Sequence, residues 1–284
     1  MQNPKIRTDL ALEAHRDSAA RIGDIQGAQL REFTENSIRI TELNITEQSA
    51  SDILCKPIGK YFTIELEQYV TRRETSFAEA VNAIAKQLSS FDAISKADCF
   101  LVACLGNKSI TPDAIGSKVA DSIIVTRHLK SSMPENFAAF SSVALMRTGV
   151  LGTTGIESAD TLRAICGTVK PDCVIAVDAL ASSDMSRLCK TVQICDSGIA
   201  PGSGVGNNRA MLSSESLGVP VIAMGVPTVI DASAFTDDAA ASGLFVTPRN
   251  IDELVASISK LLAYSLNVAL HKGLTVEDID LLIE

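Results

Sequence analysis

The feature that most constrains the fold of this chain is a set of short runs that are apolar at every position. Residues 99–105 and 173–177 contain only Cys, Phe, Leu, Val, Ala and Ile. Strands with one solvent-exposed face alternate polar and apolar residues, whereas wholly apolar strands are typical of parallel sheets covered by helices on both faces. We therefore predict an open, mainly parallel α/β sheet, with further strands at residues 141–146, 191–195 and 219–226.

Stretches of helical character separate these runs, as the crossovers between parallel strands require. Thr154 and Glu157 have the Thr-x-x-Glu spacing of a capping box, which predicts the start of a helix at this point. Residues 250–268 and 276–283 also have helical periodicity. The helices that we predict between the strands lie near residues 117–130, 156–169, 183–188 and 208–217.

The first third of the chain has a different pattern. Residues 37–45 and 60–67 alternate apolar and polar side chains, which predicts half-exposed strands. A short helix is predicted between them, and the apolar side chains of residues 77–88 recur at three and four positions, as in an amphipathic helix. Residues 1–36 lack a clear period and are predicted to form an extended or partly helical arm.

The bulk properties favour one soluble domain. The length of 284 residues suits a single large α/β unit, so we predict one domain over residues 10–284, with an N-terminal α+β excursion (10–95) and a core sheet (96–284). The net charge of −9 argues against direct nucleic-acid binding. No apolar run reaches the ~20 residues of a membrane span, and the polar N-terminus lacks a secretory signal. Seven cysteines, five of them in apolar stretches (99, 104, 166, 173 and 195), indicate a reducing compartment.

Two aspartates follow two of the apolar runs. Asp178 directly ends the run 173–177, and Asp113 follows the run 99–105 after a turn. Because parallel strands bring their carboxyl ends to one edge of the sheet, both carboxylates can meet in one crevice. Neighbouring carboxyls titrate apart, so one can activate water while the other protonates a leaving amine. The structural alternative makes Asp113 a turn residue and Asp178 a helix cap.

A third acid, Asp196, ends the run 191–195 and precedes a glycine-rich segment. This segment matches a phosphate-binding loop only loosely, because the G-x-G-x-x-G pattern requires glycine where Asn207 stands. Its backbone amides can instead line a pocket for a substrate carbonyl or carboxylate. The alternative is a flexible surface turn capped by Asp196. The glycines that we assign to the candidate site are Gly202, Gly204 and Gly206.

The sequence gives no specific indication of a metal or another cofactor, and we predict none. Three carboxylates at one sheet edge could hold a hard divalent cation. However, the usual zinc spacings are absent, and only three histidines are present.

Several motifs, in their order along the chain, together resemble the spore germination protease family. These endopeptidases degrade small acid-soluble spore proteins when spore-forming bacteria germinate. Several motifs in sequence are far more specific than any one of them. The matching segments are residues 6–14, 105–107, 111–116, 126–129, 155–157, 176–181 and 196–207.

The resemblance implies an aspartate-dependent hydrolase in which Asp113 and Asp178 are the catalytic residues. It also implies a phosphorylase/hydrogenase-maturation-protease-like fold, a homotetramer, and a cytoplasmic location in the forespore and spore core. The implied substrates are the small acid-soluble spore proteins. Finally, it implies a zymogen that removes a short N-terminal piece by autocatalytic cleavage.

Carried over by motif, the propeptide is residues 1–9 and the processing bond joins Asp9 to Leu10. The family's substrates have an acidic residue before the cut and a large apolar residue, then Ala, after it, as in Asp9-Leu10-Ala11. Because a guanidinium pairs well with a carboxylate, we expect a cation in the pocket that reads this acid. The candidates are Arg127, Arg147 and Arg209.

Two other functions remain open at this point. One is a metal-assisted peptidase. The other is a non-catalytic α/β protein, in which the glycine-rich segment binds an anion and the aspartates serve only as caps.

Overall fold

A computed structural model describes residues 8–66, 74–206, 209–236, 241 and 243–283 of the chain. Its strands are β1 (Ala28–Glu35), β2 (Ile38–Ile45), β3 (Gly59–Glu65), β4 (Cys99–Leu105), β5 (Ser142–Gly149), β6 (Cys173–Ser182), β7 (Thr191–Cys195), β8 (Val221–Asp231) and β9 (Phe245–Val246). Its helices are α1 (Ala11–Ile22), α2 (Gln48–Leu54), α3 (Glu74–Ser89), α4 (Asp92–Ser95), α5 (Ile115–Val119), α6 (Arg127–Ser132), α7 (Leu151–Thr154), α8 (Ser158–Val169), α9 (Ser214–Leu217), α10 (Ile251–Leu270) and α11 (Val276–Ile283).

One open sheet contains all of these strands, in the order β1-β2-β3-β7-β8-β6-β4-β5, with β9 paired to β8. The strands β5, β4, β6 and β8 are mutually parallel and form the half in which the wholly apolar runs occur. The other half, β1 to β3 with β7, is antiparallel. The predicted α/β class, with a parallel core sheet flanked by helices, is confirmed.

The direction of β7 differs from the prediction. We expected residues 191–195 to be a parallel strand, but β7 runs antiparallel to both β8 and β3. An apolar run reports burial on both faces and carries no information on direction. The reversal joins the alternating N-terminal strands to the parallel core.

Helices cover both faces of the sheet. On one face, α3, α5 and α10 pack on side chains such as Ile175, Val177 and Met224. On the other face, α8 packs on Val174 and Ala176, and α1 lies over Ala223 and Cys195. The alternation along β6 directs Val177 to the first face and Asp178 to the second.

Helix α10 is apolar and long enough to cross a bilayer by composition alone. However, it packs against α3 and α5, and its side chains Ile258, Leu261 and Leu262 are fully buried. It is therefore the core helix of the first face, and its position accounts for its hydropathy.

Several predicted helices are shorter than expected. The predicted helix 117–130 is broken into α5, a 3₁₀ turn (Ala120–Ser122) and α6, and residues 183–188 form only a 3₁₀ turn at Met185–Arg187. The predicted capping box is wrong. Thr154 ends α7, and its hydroxyl bonds to Val150 and Ile156, while α8 begins after Glu157 without a side-chain cap.

The N-terminal arm is more ordered than its sequence predicted. Residues 8–36 contain the helix α1 and the edge strand β1. Leu10, Ala11 and Leu12 are almost completely buried, so this segment belongs to the core. Of the five cysteines in apolar stretches, Cys99 is partly exposed and the other four are buried, as is Cys189.

Candidate active site

Asp178 lies inside β6, one residue beyond the last pairing with β4 (Cys104 with Val177), and pairs with Gly225 of β8. It is 4% exposed, and its carboxylate accepts a hydrogen bond from the backbone N–H of Ala179, 2.9 Å away. Burial, the charge of Asp113 and, more weakly, the charge of Asp9 raise its pKa well above the usual value. Asp178 is therefore a carboxyl that holds its proton more tightly than an exposed one does.

Asp113 ends a 3₁₀ turn (Thr111–Asp113) that lies against β6, β8 and the helix α10. Its carboxylate accepts from the N–H of Asn107 at 2.8 Å, which ties the turn to the residue after Gly106. Gly106 has a φ of +88°, and a Cβ there would lie 2.1 Å from the Asp113 carbonyl oxygen, so the close approach requires glycine. Burial raises the pKa of Asp113, and the Asn107 N–H opposes the shift.

Gly116 fixes how α5 lies against the ends of β4 and β6. A Cβ on Gly116 would lie 2.5 Å from the carbonyl oxygens of both Leu105 and Val177. The chain after Asp113 is thus pressed onto the last residue of β4 and onto the residue before Asp178. Both aspartates thus lie near these strand ends, and the charge of Asp113 acts on Asp178.

The Asp9 side chain is hydrogen-bonded at the end of β6 and is enclosed by the glycine-rich segment. Its carboxylate accepts from the N–H of Ala181 at 2.8 Å and from the hydroxyl of Ser203 at 2.7 Å. Its own N–H donates to the Ala181 carbonyl at 2.9 Å. A Cβ on Gly204 would lie 2.2 Å from a carboxylate oxygen of Asp9, so the glycine-rich segment can approach this closely only without a side chain.

The peptide group between Asp9 and Leu10 is held by three side chains. The Asp9 carbonyl oxygen accepts from Lys56 Nζ at 3.0 Å and from Gln193 Nε2 at 3.1 Å. The Leu10 N–H donates to the hydroxyl of Thr8 at 3.0 Å. The carbonyl oxygen and the nitrogen of this peptide group therefore each have a defined partner.

Gln193 and Asp178 belong to the same row across the sheet. Gly225 of β8 pairs with Asp178 on one side and with Gln193 on the other. Paired residues point to the same face, and two strand spacings separate the Cα atoms of the outer residues by about 9–10 Å. Gly225 has no side chain, and the place that a Cβ would take there is occupied by the Leu180 side chain, whose Cγ would lie 2.6 Å from it.

This face of the sheet opens into a cavity of about 650 Å³. Asp9, Lys56 and Gln193 line it, together with residues of the glycine-rich segment. Within the described part of the chain, no three His, Cys, Asp or Glu side chains are grouped as ligands for a metal ion.

A buried ion-pair cluster anchors α1 beside the cavity, and sequence reasoning did not identify it. Glu13 is 5% exposed and lies 3.6 Å from the Arg187 guanidinium, which is 6% exposed. The Glu13 carboxylate also accepts from the hydroxyls of Thr8, Ser182 and Ser183. The sequence offered only a weak indication of this cluster: Glu13 lies four positions after Asp9.

The structure separates the other predicted site residues. Asp196 accepts from the N–H of Lys60 at 2.7 Å and packs against Gly59, which places it at the start of β3 as a strand cap. Gly202 and Gly206 flank a short turn (Ser203–Val205) in left-handed conformations, and this turn carries Ser203 and Gly204 to Asp9.

The three arginines lie apart from the Asp9 carboxylate. Arg127 is exposed, next to Thr126, which bonds to Val143 near the amino end of β5, the opposite edge of the sheet. Arg147 pairs with Asp121, and Arg209 with Glu157. Among the described residues, the hydrogen bonds to the Asp9 carboxylate come from a backbone N–H and a hydroxyl, and not from a guanidinium.

The fold and this site define an α/β protein with one buried and one half-buried acid at the carboxyl edge of its parallel strands. A family model described as germination protease matches residues 7–242. The chain belongs to the germination protease family.

Relatives that bear this name match over most of the chain. The germination protease of Clostridium tetani is 36% identical over 97% of this chain and 98% of its own length. That of Caldanaerobacter subterraneus is 38% identical over 98% of each chain. That of Bacillus cereus is 44% identical over 82% of this chain and 65% of its own length. Among solved structures, the hydrogenase maturation protease HycI of Thermococcus kodakarensis is similar over 62% of this chain and 96% of its own, with 21% identity and a TM-score of 0.37.

Proposed function

We propose that this protein is an aspartate-dependent endopeptidase that initiates the degradation of small acid-soluble spore proteins during germination. Membership of the germination protease family supports the peptidase activity and its spore substrates. The observation that carries the mechanism is the pair of acids, Asp113 and Asp178, whose charges interact at one sheet edge and whose pKa values are both raised.

We assign the proton to Asp178 and the negative charge to Asp113. Asp178 is fully buried and feels the charge of its neighbour, whereas Asp113 is more exposed and its carboxylate receives the Asn107 N–H. Asp113 removes a proton from water as the water oxygen bonds to the carbonyl carbon. Asp178 then gives its proton to the departing amide nitrogen. The pair returns to its initial state by passing one proton from Asp113 to Asp178.

We propose that the chain is a zymogen and that it cleaves its own Asp9–Leu10 bond. The acidic side chain of Asp9 is enclosed by Ala181, Ser203 and Gly204, and the bond that follows it is held at both its carbonyl and its nitrogen. Residues 8 and 9 line the cavity and so occupy the place of a substrate until they are released. The proposed assembly is a homotetramer, and the proposed location is the cytoplasm of the forespore and the spore core.

The direct test is incubation of the purified chain at mildly acidic pH, followed by mass spectrometry. We expect the loss of residues 1–9, followed by cleavage of an added small acid-soluble spore protein after acidic residues. A chain that stays intact and leaves the spore protein uncut would contradict the proposal. A parallel sample with a chelator tests the metal-assisted alternative, which requires that the chelator stops cleavage.

The variant Gly204→Ala tests how the protein binds the acidic side chain of Asp9. In Gly204→Ala, the new Cβ would meet the Asp9 carboxylate and the Ala181 side chain, at 2.2 and 2.6 Å. The acidic side chain must then move by about an ångström, and such misplacement can slow an enzyme by ~10²-fold. We expect slower release of residues 1–9 with little change in the melting temperature.

The matched control is Gly167→Ala in α8, where a Cβ would meet nothing within 4 Å. This variant should process at the normal rate. If Gly204→Ala also processed at the normal rate, Asp9 would not be bound in this pocket during cleavage.

A further inference from the structure

We infer that Lys56 and Gln193 form the oxyanion-binding site of this endopeptidase, with Lys56 as a further catalytic residue. The inference deepens the proposed function and rests on Asp9–Leu10 being a bond that the chain cleaves. It starts from the two side-chain donors on the Asp9 carbonyl oxygen, Lys56 Nζ at 3.0 Å and Gln193 Nε2 at 3.1 Å.

Local structure holds Lys56 in place. Helix α2 ends at Cys55, which adopts a left-handed conformation with a φ of 51°, and the Lys56 N–H donates back to Ser51. Pro57 follows at once, and its carbonyl accepts from the Tyr61 hydroxyl of β3 at 2.7 Å. The lysine therefore extends from a fixed turn, and its ammonium bonds to the carbonyls of Thr8 and Asp9.

The orientation of Gln193 follows from its two partners. The side-chain oxygen accepts from the Ala11 N–H at 2.7 Å, which leaves the NH₂ group to donate to the Asp9 carbonyl. Gln193 is 7% exposed on a central strand, so its amide is rigidly placed. It spans the bond between Asp9 and Leu10 and fixes the backbone on both sides.

These donors suit the charge that develops during cleavage. When the water oxygen bonds to the Asp9 carbonyl carbon, the π electrons of the carbonyl move to its oxygen, which becomes negative. The ammonium of Lys56 and the amide N–H of Gln193 already point at that oxygen. When the electrons return, the bond to the Leu10 nitrogen breaks, and the nitrogen takes the proton from Asp178. Donors fixed in advance stabilise the charged intermediate more than the neutral amide.

The surroundings of Lys56 make this role depend on pH. Burial lowers its pKa, and the carboxylates of Asp9 and Glu13 oppose that shift. Asp17 and Arg21 of α1 also line the cavity that Lys56 faces. Cleavage should therefore fall on the alkaline side, as the ammonium loses its proton.

The test compares Lys56→Met with the unsubstituted full-length chain. We measure the first-order release of residues 1–9 and, once each chain has released them, kcat and KM for a synthetic peptide that copies residues 4–18. Loss of one oxyanion donor typically costs ~10²–10³-fold in kcat, and we expect a decrease of this size with little change in KM. Lys56→Arg keeps a positive charge at all accessible pH values, so it should retain more activity and move the alkaline limb to higher pH.

The matched control is Lys60→Met. Lys60 lies four residues further on, at the start of β3, and its ammonium is 3.8 Å from Glu42. This variant should cleave at the normal rate, and the melting temperature of each variant reports its folding. If Lys56→Met did not fold, Lys56→Arg and Gln193→Glu would carry the test. Gln193→Glu keeps the side-chain size, replaces the donor by a carboxylate, and should lose at least as much kcat.

The outcomes separate this inference from the proposed function. A rate for Lys56→Met within about threefold of the unsubstituted chain, where ~10²-fold or more is expected, would overturn the oxyanion role and leave the aspartate mechanism intact. Equal losses in the Met and Arg variants with an unchanged pH profile would also overturn it, because they would indicate a structural contact. An unsubstituted chain that cleaves nothing would overturn both proposals.

Discussion

Replacing Asp178 by Asn is expected to abolish cleavage while leaving the protein folded. The substitution keeps the size of the side chain and its acceptor for the Ala179 N–H, but it removes the proton that the leaving nitrogen requires. General acid–base catalysis contributes ~10²–10⁴-fold, and we expect at least this loss from Asp178→Asn and from Asp113→Asn. The measurement is the release of residues 1–9, followed by mass spectrometry. Full activity in either variant would overturn the catalytic assignment.

The sign of the pKa shift gives an independent check on Asp178. Because the folded protein raises its pKa, the neutral carboxyl contributes a stability that is complete below the ordinary pKa of Asp, about 4. This contribution is lost as the pH rises through the folded-state pKa. Asparagine is neutral at every pH. We therefore expect Asp178→Asn to melt no lower than the unsubstituted chain at neutral pH, although it is inactive.

A matched control for this variant lies at the other end of the same strand. Asp172 directly precedes β6, and its carboxylate accepts from the backbone N–H groups of Asp98 and Cys99. Asp172→Asn keeps an acceptor there and is far from the cavity, so it should cleave at the normal rate. A loss of activity shared by Asp172→Asn and Asp178→Asn would point to a general effect of losing a carboxylate in β6.

The parts of the fold that sequence predicted best are those in which burial alone decides the pattern. The apolar runs gave the strands β4 and β6, and with them the sheet edge at which Asp113 and Asp178 meet. Strand direction was not predictable for β7, because an apolar run indicates burial on both faces and carries no information on direction. The break between α5 and α6 was missed because residues 117–130 keep apolar side chains through it.

The residues that contact Asp9 could not be predicted from the sequence. We expected a guanidinium to read the acid, because charge complementarity is the obvious signal in a sequence. The acid is held instead by the Ala181 N–H and the Ser203 hydroxyl, neither of which has a distinctive sequence signature. Lys56 and Gln193 could likewise not be identified from the sequence, since they lie 47 and 184 positions from Asp9 and contact it only in the folded protein.

The largest effect on stability is expected from Arg187→Met. Arg187 is 6% exposed, and its guanidinium lies 3.6 Å from Glu13, 3.7 Å from Glu65 and 3.7 Å from Asp184. Methionine fills much of the same volume but leaves the buried Glu13 carboxylate without its counter-charge. Removing one partner of a buried ion pair costs ~3–5 kcal/mol, so we expect a loss of this size in the free energy of unfolding, measured by chemical denaturation.

Two further variants distinguish a buried pair from a general loss of arginine. Arg163→Met breaks an exposed pair with Asp160, 2.8 Å away, and exposed pairs contribute only ~0–1 kcal/mol. Adding Glu13→Gln to Arg187→Met removes the isolated charge and should restore part of the lost stability, as a double-mutant cycle would measure. If Arg187→Met were no less stable than Arg163→Met, the cluster would not anchor α1.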